Sequence, residues 1–279
     1  MIERLRITVL TDNYVASPGL LGEHGLAVLV ETGGRRVLFD TGHGLALLHN
    51  AAALKAVLAP LDAVVLSHGH YDHSGGLAAV VQEASPGAIF LHPEALGLKF
   101  AKRGDGAIRP AGMPRESRGA LERFRDRVVW TRGATEVVAG VWCSGEIPRA
   151  KGELTGSHRF FLDAAGRDPD PLTDDQALFV ETRTGLVVIT GCAHAGVANT
   201  LRHVCALTGA RNVHALVGGL HLGGCSEEQL KEAGDAAGAV NCRMLGPCHC
   251  TGMAAHGYLR GRFGARVLDV GAGSRWEID

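Results

Sequence analysis

The chain has 279 residues, 46% of them hydrophobic, and a formal net charge of −1; that is core enough for one large α/β domain or two ordinary ones, and rules out disorder. So small a net charge argues against a nucleic-acid or membrane surface as the main partner. Seven cysteines without a disulfide-framework spacing fit a reducing compartment, and there is neither a signal-peptide core at Met1-Ile2-Glu3-Arg4-Leu5-Arg6 nor an apolar run of membrane-spanning length, so a cytoplasmic location is expected.

Apolar periodicity predicts strands near 5–10, 26–31, 36–40, 62–67 and 88–92, with helices near 45–58 and 77–83. From 97 to about 160 glycines (Gly97, Gly104, Gly106, Gly112, Gly119) and prolines (Pro110, Pro114) break any period, which predicts an irregular insertion. Strands resume near 177–183, 186–190, 213–217 and 241–246, with helices near 196–207, 226–237 and 252–262 and short strands near 266–270 and 275–278. Val30-Glu31-Thr32-Gly33 through Phe39-Asp40-Thr41-Gly42 has a counterpart in Val180-Glu181-Thr182 through Ile189-Thr190-Gly191-Cys192. Each reads as a hairpin ending in a polar loop. Two such halves face to face predict an α/β fold, a four-layer αβ/βα sandwich in one domain over 1–279, with polar loops meeting in one cleft.

His68-Gly69-His70-Tyr71-Asp72-His73 packs three histidines and a carboxylate into six residues, directly after the buried-strand run Ala63-Val64-Val65-Leu66. The cluster therefore sits at a strand's carboxyl end, where open α/β sheets carry their chemistry. In extended backbone His68 and His70 point to one side, and beyond the bend Asp72 and His73 face a second position. Imidazoles and a carboxylate suit zinc, iron or manganese better than calcium or magnesium.

Three further segments join a strand, a glycine-bearing bend and a ligand-type side chain: Gly191-Cys192-Ala193-His194, Gly218-Gly219-Leu220-His221 and Pro247-Cys248-His249-Cys250. His194 and His249 are read as metal ligands. His221 stands between ligand, substrate-contacting acid and buried structural histidine. Cys192 is either a ligand or a small buried thiol, and the Cys248-x-Cys250 spacing is too tight for a structural zinc knot. Asp40, at the end of a buried strand, needs partners and is expected to fix a ligand by a hydrogen bond. His24 is placed to reach the mouth of the site, and His92 to border it. His43, His49, His158, His203, His214 and His256 carry no comparable context.

With these residues in hand, the chain resembles the metallo-β-lactamase-fold superfamily. His68-x-His70-x-Asp72-His73 is that superfamily's signature, Asp40-Thr41-Gly42 matches the motif preceding it, and His249 matches its last metal-binding histidine. Glu23-His24-Gly25-Leu26, Gly191-Cys192-Ala193-His194-Ala195-Gly196, Gly218-Gly219-Leu220-His221-Leu222 and Pro247-Cys248-His249-Cys250-Thr251-Gly252 are similar to the branch named for the archaeal 7,8-dihydropterin-6-methyl-4-(β-D-ribofuranosyl)aminobenzene-5′-phosphate synthase. The chain departs from the superfamily pattern in offering Gly145-Glu146 for a Gly-His motif and Cys192 for a bridging aspartate. Glu146 is thus an outside candidate, with His194 the better substitute.

The resemblance implies one or two divalent transition-metal ions, zinc foremost, with iron or manganese as alternatives. His68, His70 and His194 would hold one, and Asp72, His73 and His249 the other. The implied chemistry is metal-dependent hydrolysis of a small, anionic ester or phosphoester, with Asp72 and His221 as catalytic residues and His221 as general acid or phosphate contact. Pterin-transferring synthesis is the alternative, and a non-catalytic metal-dependent sensor a third reading. The charges between Lys99 and Arg127, Arg115 and Arg118 among them, are expected to form a mobile cationic cover over the cleft or, failing that, a solvated loop. No phosphate-binding glycine loop is present, so no nucleotide cofactor is indicated.

Overall fold

The computed structural model describes residues 1–149 and 159–279; His158 lies outside them. The first sheet takes the order β16-β1-β2-β3-β4-β5-β8, from β1 (Leu5–Thr11), β2 (Ala27–Thr32), β3 (Arg35–Phe39), β4 (Ala63–Val65), β5 (Ala88–Leu91), β8 (Val128–Trp130) and β16 (Arg275–Ile278). The second is β15-β14-β13-β12-β10-β9, from β9 (Thr135–Val138), β10 (Val141–Cys143), β12 (Ala177–Thr182), β13 (Gly185–Thr190), β14 (Val213–Gly219) and β15 (Met244–Cys248). A small ribbon joins β6 (Phe100–Lys102), β7 (Ile108–Pro110) and β11 (Phe160–Phe161).

Strands buried on both faces read as continuous apolar runs, which is why these were easy to place. Between the sheets Val9, Val30, Phe39 and Val65 meet Val141, Val180, Ile189 and Val217. Outside the first sheet, α1 (Leu47–Ala53) and α3 (Leu77–Ala84) lay Leu47, Leu77 and Val80 on Leu29, Leu38 and Val64. Outside the second, α5 (Val197–Thr208), α6 (Glu227–Ala239) and α7 (Met253–Phe263) lay Leu201, Ala233 and Leu259 on Phe179, Val188 and Leu216. Each fully buried leucine or isoleucine stabilises this stack by roughly 1.5–3 kcal/mol. The expected four-layer αβ/βα sandwich is the architecture found.

The internal repeat is present in the topology. β2 and β3 pair antiparallel, with Val28 opposite Phe39, and β4 then adds parallel to β3. β12 and β13 repeat this with Val180 opposite Val187, and β14 adds parallel to β13. The tight turn between β2 and β3 needs positive φ at both central residues, met by Gly33 (54°) and Gly34 (77°).

Several expectations fail locally. The helix expected over 45–58 stops at Ala53, Lys55 taking φ of 53°. No strand forms at 266–270; a single bridge, Val267 to Leu245, stands there. The stretch from 97 onward is more ordered than its glycines and prolines suggest: β8 extends the first sheet, β9 and β10 the second, and α4 (Arg115–Arg123) buries Ala120 and Leu121. Three-residue strands carry too little pattern to be read, because their pairing is non-local. Among the described residues no helix is long and apolar enough to cross a membrane.

Candidate metal centre

A short loop, Leu66 to His70, joins β4 to the turn α2 (Tyr71–Ser74), and His68, His70, Asp72 and His73 along this stretch are all buried. Gly69 is required there: its N–H donates to Asp174 Oδ2 at 2.8 Å, and a Cβ on it would collide with the backbone of Ala95. From the second sheet, Cys192 and His194 follow β13, and His249 follows β15 with φ of 51°. Gly191 leaves room for the join between halves, since a Cβ on it would strike Ser67 Oγ and come within 2.9 Å of Asp40 Oδ2.

Asp40 governs the first half. Its Oδ1 accepts the Ser67 N–H at 2.7 Å, and its Oδ2 accepts both the Ser67 hydroxyl (2.7 Å) and His73 Nδ1–H (2.7 Å). The Ser67 proton is thereby committed, so the 2.9 Å contact between Ser67 Oγ and His68 Nδ1 must be donated by the imidazole. Both His68 and His73 therefore turn Nε2, not Nδ1, away from these partners. In the second half Asn13 Oδ1 accepts from the Gly25 N–H and lies 2.8 Å from His249 Nδ1, so His249 donates there and turns its Nε2 away too.

These Nε2 atoms converge. His73 Nε2 lies 3.1 Å from His249 Nε2, 3.1 Å from Cys192 Sγ and 3.8 Å from Asp72 Oδ2. His249 Nε2 lies 3.4 Å from Asp72 Oδ2. One proton between them can satisfy one acceptor, whereas a metal ion satisfies all. His68 Nε2 similarly faces His70 Nδ1 at 2.8 Å and His194 Nε2 at 3.3 Å, more partners than its single lone pair can serve as hydrogen bonds. Cys192 belongs to both groups, its sulfur within 4.8 Å of the ligand atoms of His68 and His194 and of those of His73 and His249. The donor set therefore fits one or two borderline metal ions, with a thiol between the two positions.

The electrostatics agree. Burial pushes His68 and His194 well below the usual imidazole range and His70 down to about 3, keeping all three neutral, the form in which an imidazole can bind a metal. Burial also opposes charge on His73, but Asp40 and Asp72 outweigh it and raise the pKa to about 9, so this point attracts a cation. Burial opposes the Asp72 carboxylate as well, yet His73, His24 and His249 hold it well below its ordinary value. Of the neighbouring thiols, burial raises Cys192, while the hydrogen bond from Cys192 and the imidazoles of His249 and His221 hold Cys250 low despite burial.

Side chains that sequence reasoning missed brace this centre. Asp12 Oδ1 accepts the His249 N–H at 2.8 Å, and burial raises its pKa to about 6. Asp175 Oδ2 accepts the Ala195 N–H at 2.8 Å, and burial likewise raises its pKa to about 6. Asp174 ties Gly69 to the buried Lys99 ammonium (2.9 Å), which also meets Asp170 at 3.0 Å. Glu23 accepts four backbone N–H groups from His43 to Ala46, which explains its place in the Glu23-His24-Gly25-Leu26 motif. The available signal was an acid or amide one residue past a strand end, as in Thr11-Asp12-Asn13.

A cleft of about 220 Å³ opens above the centre, walled by His24, Tyr71, Lys102, Arg103, Arg159, Phe160, Cys192, His221 and Cys250. Phe160 stacks on His70 (4.6 Å, 29°) and the His221 ring lies 4.3 Å from that of His194. His24 stands at the mouth as expected, Nε2 3.2 Å from Asp72 Oδ2. Glu146, by contrast, is exposed and outside the cluster, and His92 is buried away from the cleft with Nδ1 accepting the Glu94 N–H. Arg115 and Arg118 do not face the cleft's lining either: Arg118 is tied to the carbonyls of Met113, Leu96 and Gly97. A larger apolar cavity of about 360 Å³ lies behind the His249 turn, lined by Tyr14, Pro247, Met253 and Val270. None of the converging histidines lines it, so the smaller cleft is the candidate site.

The family model of the metallo-beta-lactamase superfamily matches residues 21–203. The chain belongs to that superfamily. A solved structure of a metal-dependent hydrolase of the beta-lactamase superfamily is 33% identical, with a TM-score of 0.82 over 98% of this chain and 99% of that one. The 7,8-dihydropterin-6-methyl-4-(beta-D-ribofuranosyl)-aminobenzene-5′-phosphate synthase of Methanocaldococcus jannaschii is 27% identical over 267 residues, 91% of this chain and 90% of its own. An uncharacterized protein of the same organism is 29% identical over 250 residues, 89% of this chain and 91% of its own. The metallo-beta-lactamase-fold protein YhfI of Bacillus subtilis shares the fold, with a TM-score of 0.57 at 16% identity over 99% of each chain.

Proposed function

We infer that this member of the superfamily is a metal-dependent hydrolase of small anionic esters or phosphoesters. The observation that carries the reading is the convergence of His73 Nε2, His249 Nε2, Cys192 Sγ and Asp72 Oδ2, the two imidazole nitrogens 3.1 Å apart, beneath an open cleft. His68, His70 and His194 would hold one ion and Asp72, His73 and His249 the other, with Cys192 shared between them. Zinc suits this set best, with iron or manganese also compatible. Bound there, the metal supplies Lewis acidity, lowering the pKa of a water toward about 7 and polarising the substrate oxygen.

The chain's own residues do the rest. Lys102, Arg103 and Arg159 on the ribbon rim attract and orient the anion. Phe160, stacked on His70, closes one wall against water. Asp72 acts in both orientation and charge: its Oδ2 accepts from His24 Nε2 and holds its negative charge toward His73 and His249. His221 lines the cleft beside His194, where its ring can hand a proton to the departing oxygen.

A second reading is transfer of a pterin from its diphosphate to an arylamine, favoured by the 27% identity to the archaeal synthase over 91% of the chain. One experiment separates the two. Metal-loaded protein is given phosphoesters, lactones and a pterin diphosphate, the last with and without an aminobenzene acceptor, and products are analysed. Hydrolysis of the first two classes, unchanged by acceptor, supports the hydrolase. A new carbon–nitrogen product formed only with acceptor supports the transferase, and no turnover of any of them by metal-loaded protein contradicts both.

A further inference from the structure

Cys250 has no place in the ligand sets above, yet its sulfur lies in the same cleft as that of Cys192. The two Sγ atoms and a His221 ring nitrogen all fall within 4.8 Å of one another. Cys192 is buried and Cys250 half-buried, so Cys250 is the sulfur that a small solute entering the cleft meets first. The backbone holds it in place: the His221 N–H points at Cys250 Sγ at 3.2 Å, and a Cβ on Gly219 would lie 2.7 Å from that sulfur. Glycine at 219 therefore leaves the sulfur its room. Three other cysteines, Cys143, Cys242 and Cys248, are buried, and none of them lines this cleft.

We propose that Cys192 and Cys250 form a peroxide-sensitive modification site, closing reversibly to a disulfide across the floor of the cleft. Cys250 Sγ attacks one oxygen of hydrogen peroxide and the O–O bond breaks. The departing oxygen leaves as water with the thiol proton, and Cys250 becomes a sulfenic acid. Cys192 Sγ then attacks the Cys250 sulfur, forming the S–S bond and releasing the sulfenic oxygen, with the Cys192 proton, as a second water. Two thiols are oxidised by two electrons and one peroxide is reduced to two waters. The sulfurs must approach by rotation about χ1, since a disulfide bond spans only about 2.05 Å. The cross-link does not depend on the metal reading, but its consequence does: a disulfide removes Cys192 from the point between the two ligand sets, so oxidation should expel metal.

The test exposes the full chain to hydrogen peroxide, metal-free and zinc-loaded, and follows intact mass, peptide maps and zinc release. The expected product is lighter by two hydrogens, carries a Cys192–Cys250 peptide and reverts with dithiothreitol. Zinc should slow its formation by at least about tenfold by occupying the Cys192 sulfur. Cys250→Ser should leave Cys192 a free thiol under the same exposure, and Cys192→Ser should stop at oxygen adducts on Cys250. Sulfinic acid on Cys250 with Cys192 still reduced, or a cross-link to Cys225 instead, overturns the proposal. A Cys192–Cys250 cross-link in a chain that never binds zinc would uphold the thiol pair and sink the metal reading.

Discussion

The two halves of the centre are built differently. The first half places His68, His70, Asp72 and His73 on one loop, and a single carboxylate, Asp40, sets the tautomers of two of them. The second half gathers Cys192 and His194 from the end of β13 and His249 from the end of β15, each loop braced by its own partners: Asp175 at the His194 loop, Asp12 and Asn13 at His249. A centre with one rigid cradle and one assembled face should fail unevenly when its supports are removed.

The largest effect should come from the proposed ligands themselves. His73→Ala and His249→Ala should each lose metal and reduce kcat/KM beyond the about 10–100-fold typical of losing an outer partner. Metal analysis beside kinetics checks this. His221→Ala should keep its metal while kcat falls by about 100-fold, as for a lost proton donor. Metal loss in His221→Ala equal to that in His73→Ala would make His221 a ligand instead.

The supports come next, and they test the comparison directly. Asp40→Asn should weaken metal affinity by about 10–100-fold, because two imidazoles lose their partner at once. Asn13→Ala, which releases one imidazole, should cost about tenfold or less. Equal losses from the two, measured by competition with a chelator, would mean the halves are braced alike.

Proton linkage sharpens the same contrast. In the metal-free fold the His73 pKa is raised to about 9, above the unfolded imidazole value of about 6.5. The stability it contributes is therefore fully present below about 6.5 and lost as pH rises through about 9. A metal must displace that proton and the Cys192 thiol proton, so log affinity should climb by about two per pH unit below 9 and about one above. Calorimetry in buffers of differing ionisation enthalpy reads the protons released. A slope near one below 9 that falls to zero above it would remove Cys192 from the ligand set.

The smallest effect concerns the rim. Arg103→Ala should raise KM for an anionic substrate by about five- to tenfold and leave a neutral one unchanged. Arg115→Ala should change neither. An effect of Arg115→Ala equal to that of Arg103→Ala would return the anion site to α4.

What was readable in the sequence follows the same division. The His68–His73 cluster could be seen because its ligand-type side chains are adjacent in the chain and follow a buried strand. The sandwich could be seen because doubly buried strands leave long apolar runs and because the Glu31-Thr32 hairpin recurs at Glu181-Thr182. Asp12, Asn13, Asp174 and Asp175 were missed because each is an ordinary polar residue until the fold brings a loop distant in sequence against it. Cys192 was undecided for the same reason: its burial could be read, but not its place between two sets of imidazoles. Arg118 misled because charge alone does not say whether a guanidinium faces solvent or, as here, three backbone carbonyls.

The most direct measurement is a cobalt(II) titration of the metal-free chain, followed by absorption and run beside Cys192→Ser. Saturation at about one to two ions per chain is expected, as for one- and two-metal sites of this kind, with a thiolate-to-cobalt charge-transfer band that disappears in the variant. Failure of the wild-type chain to bind cobalt, or a band of undiminished strength in Cys192→Ser, would contradict a centre in which that sulfur joins the two halves.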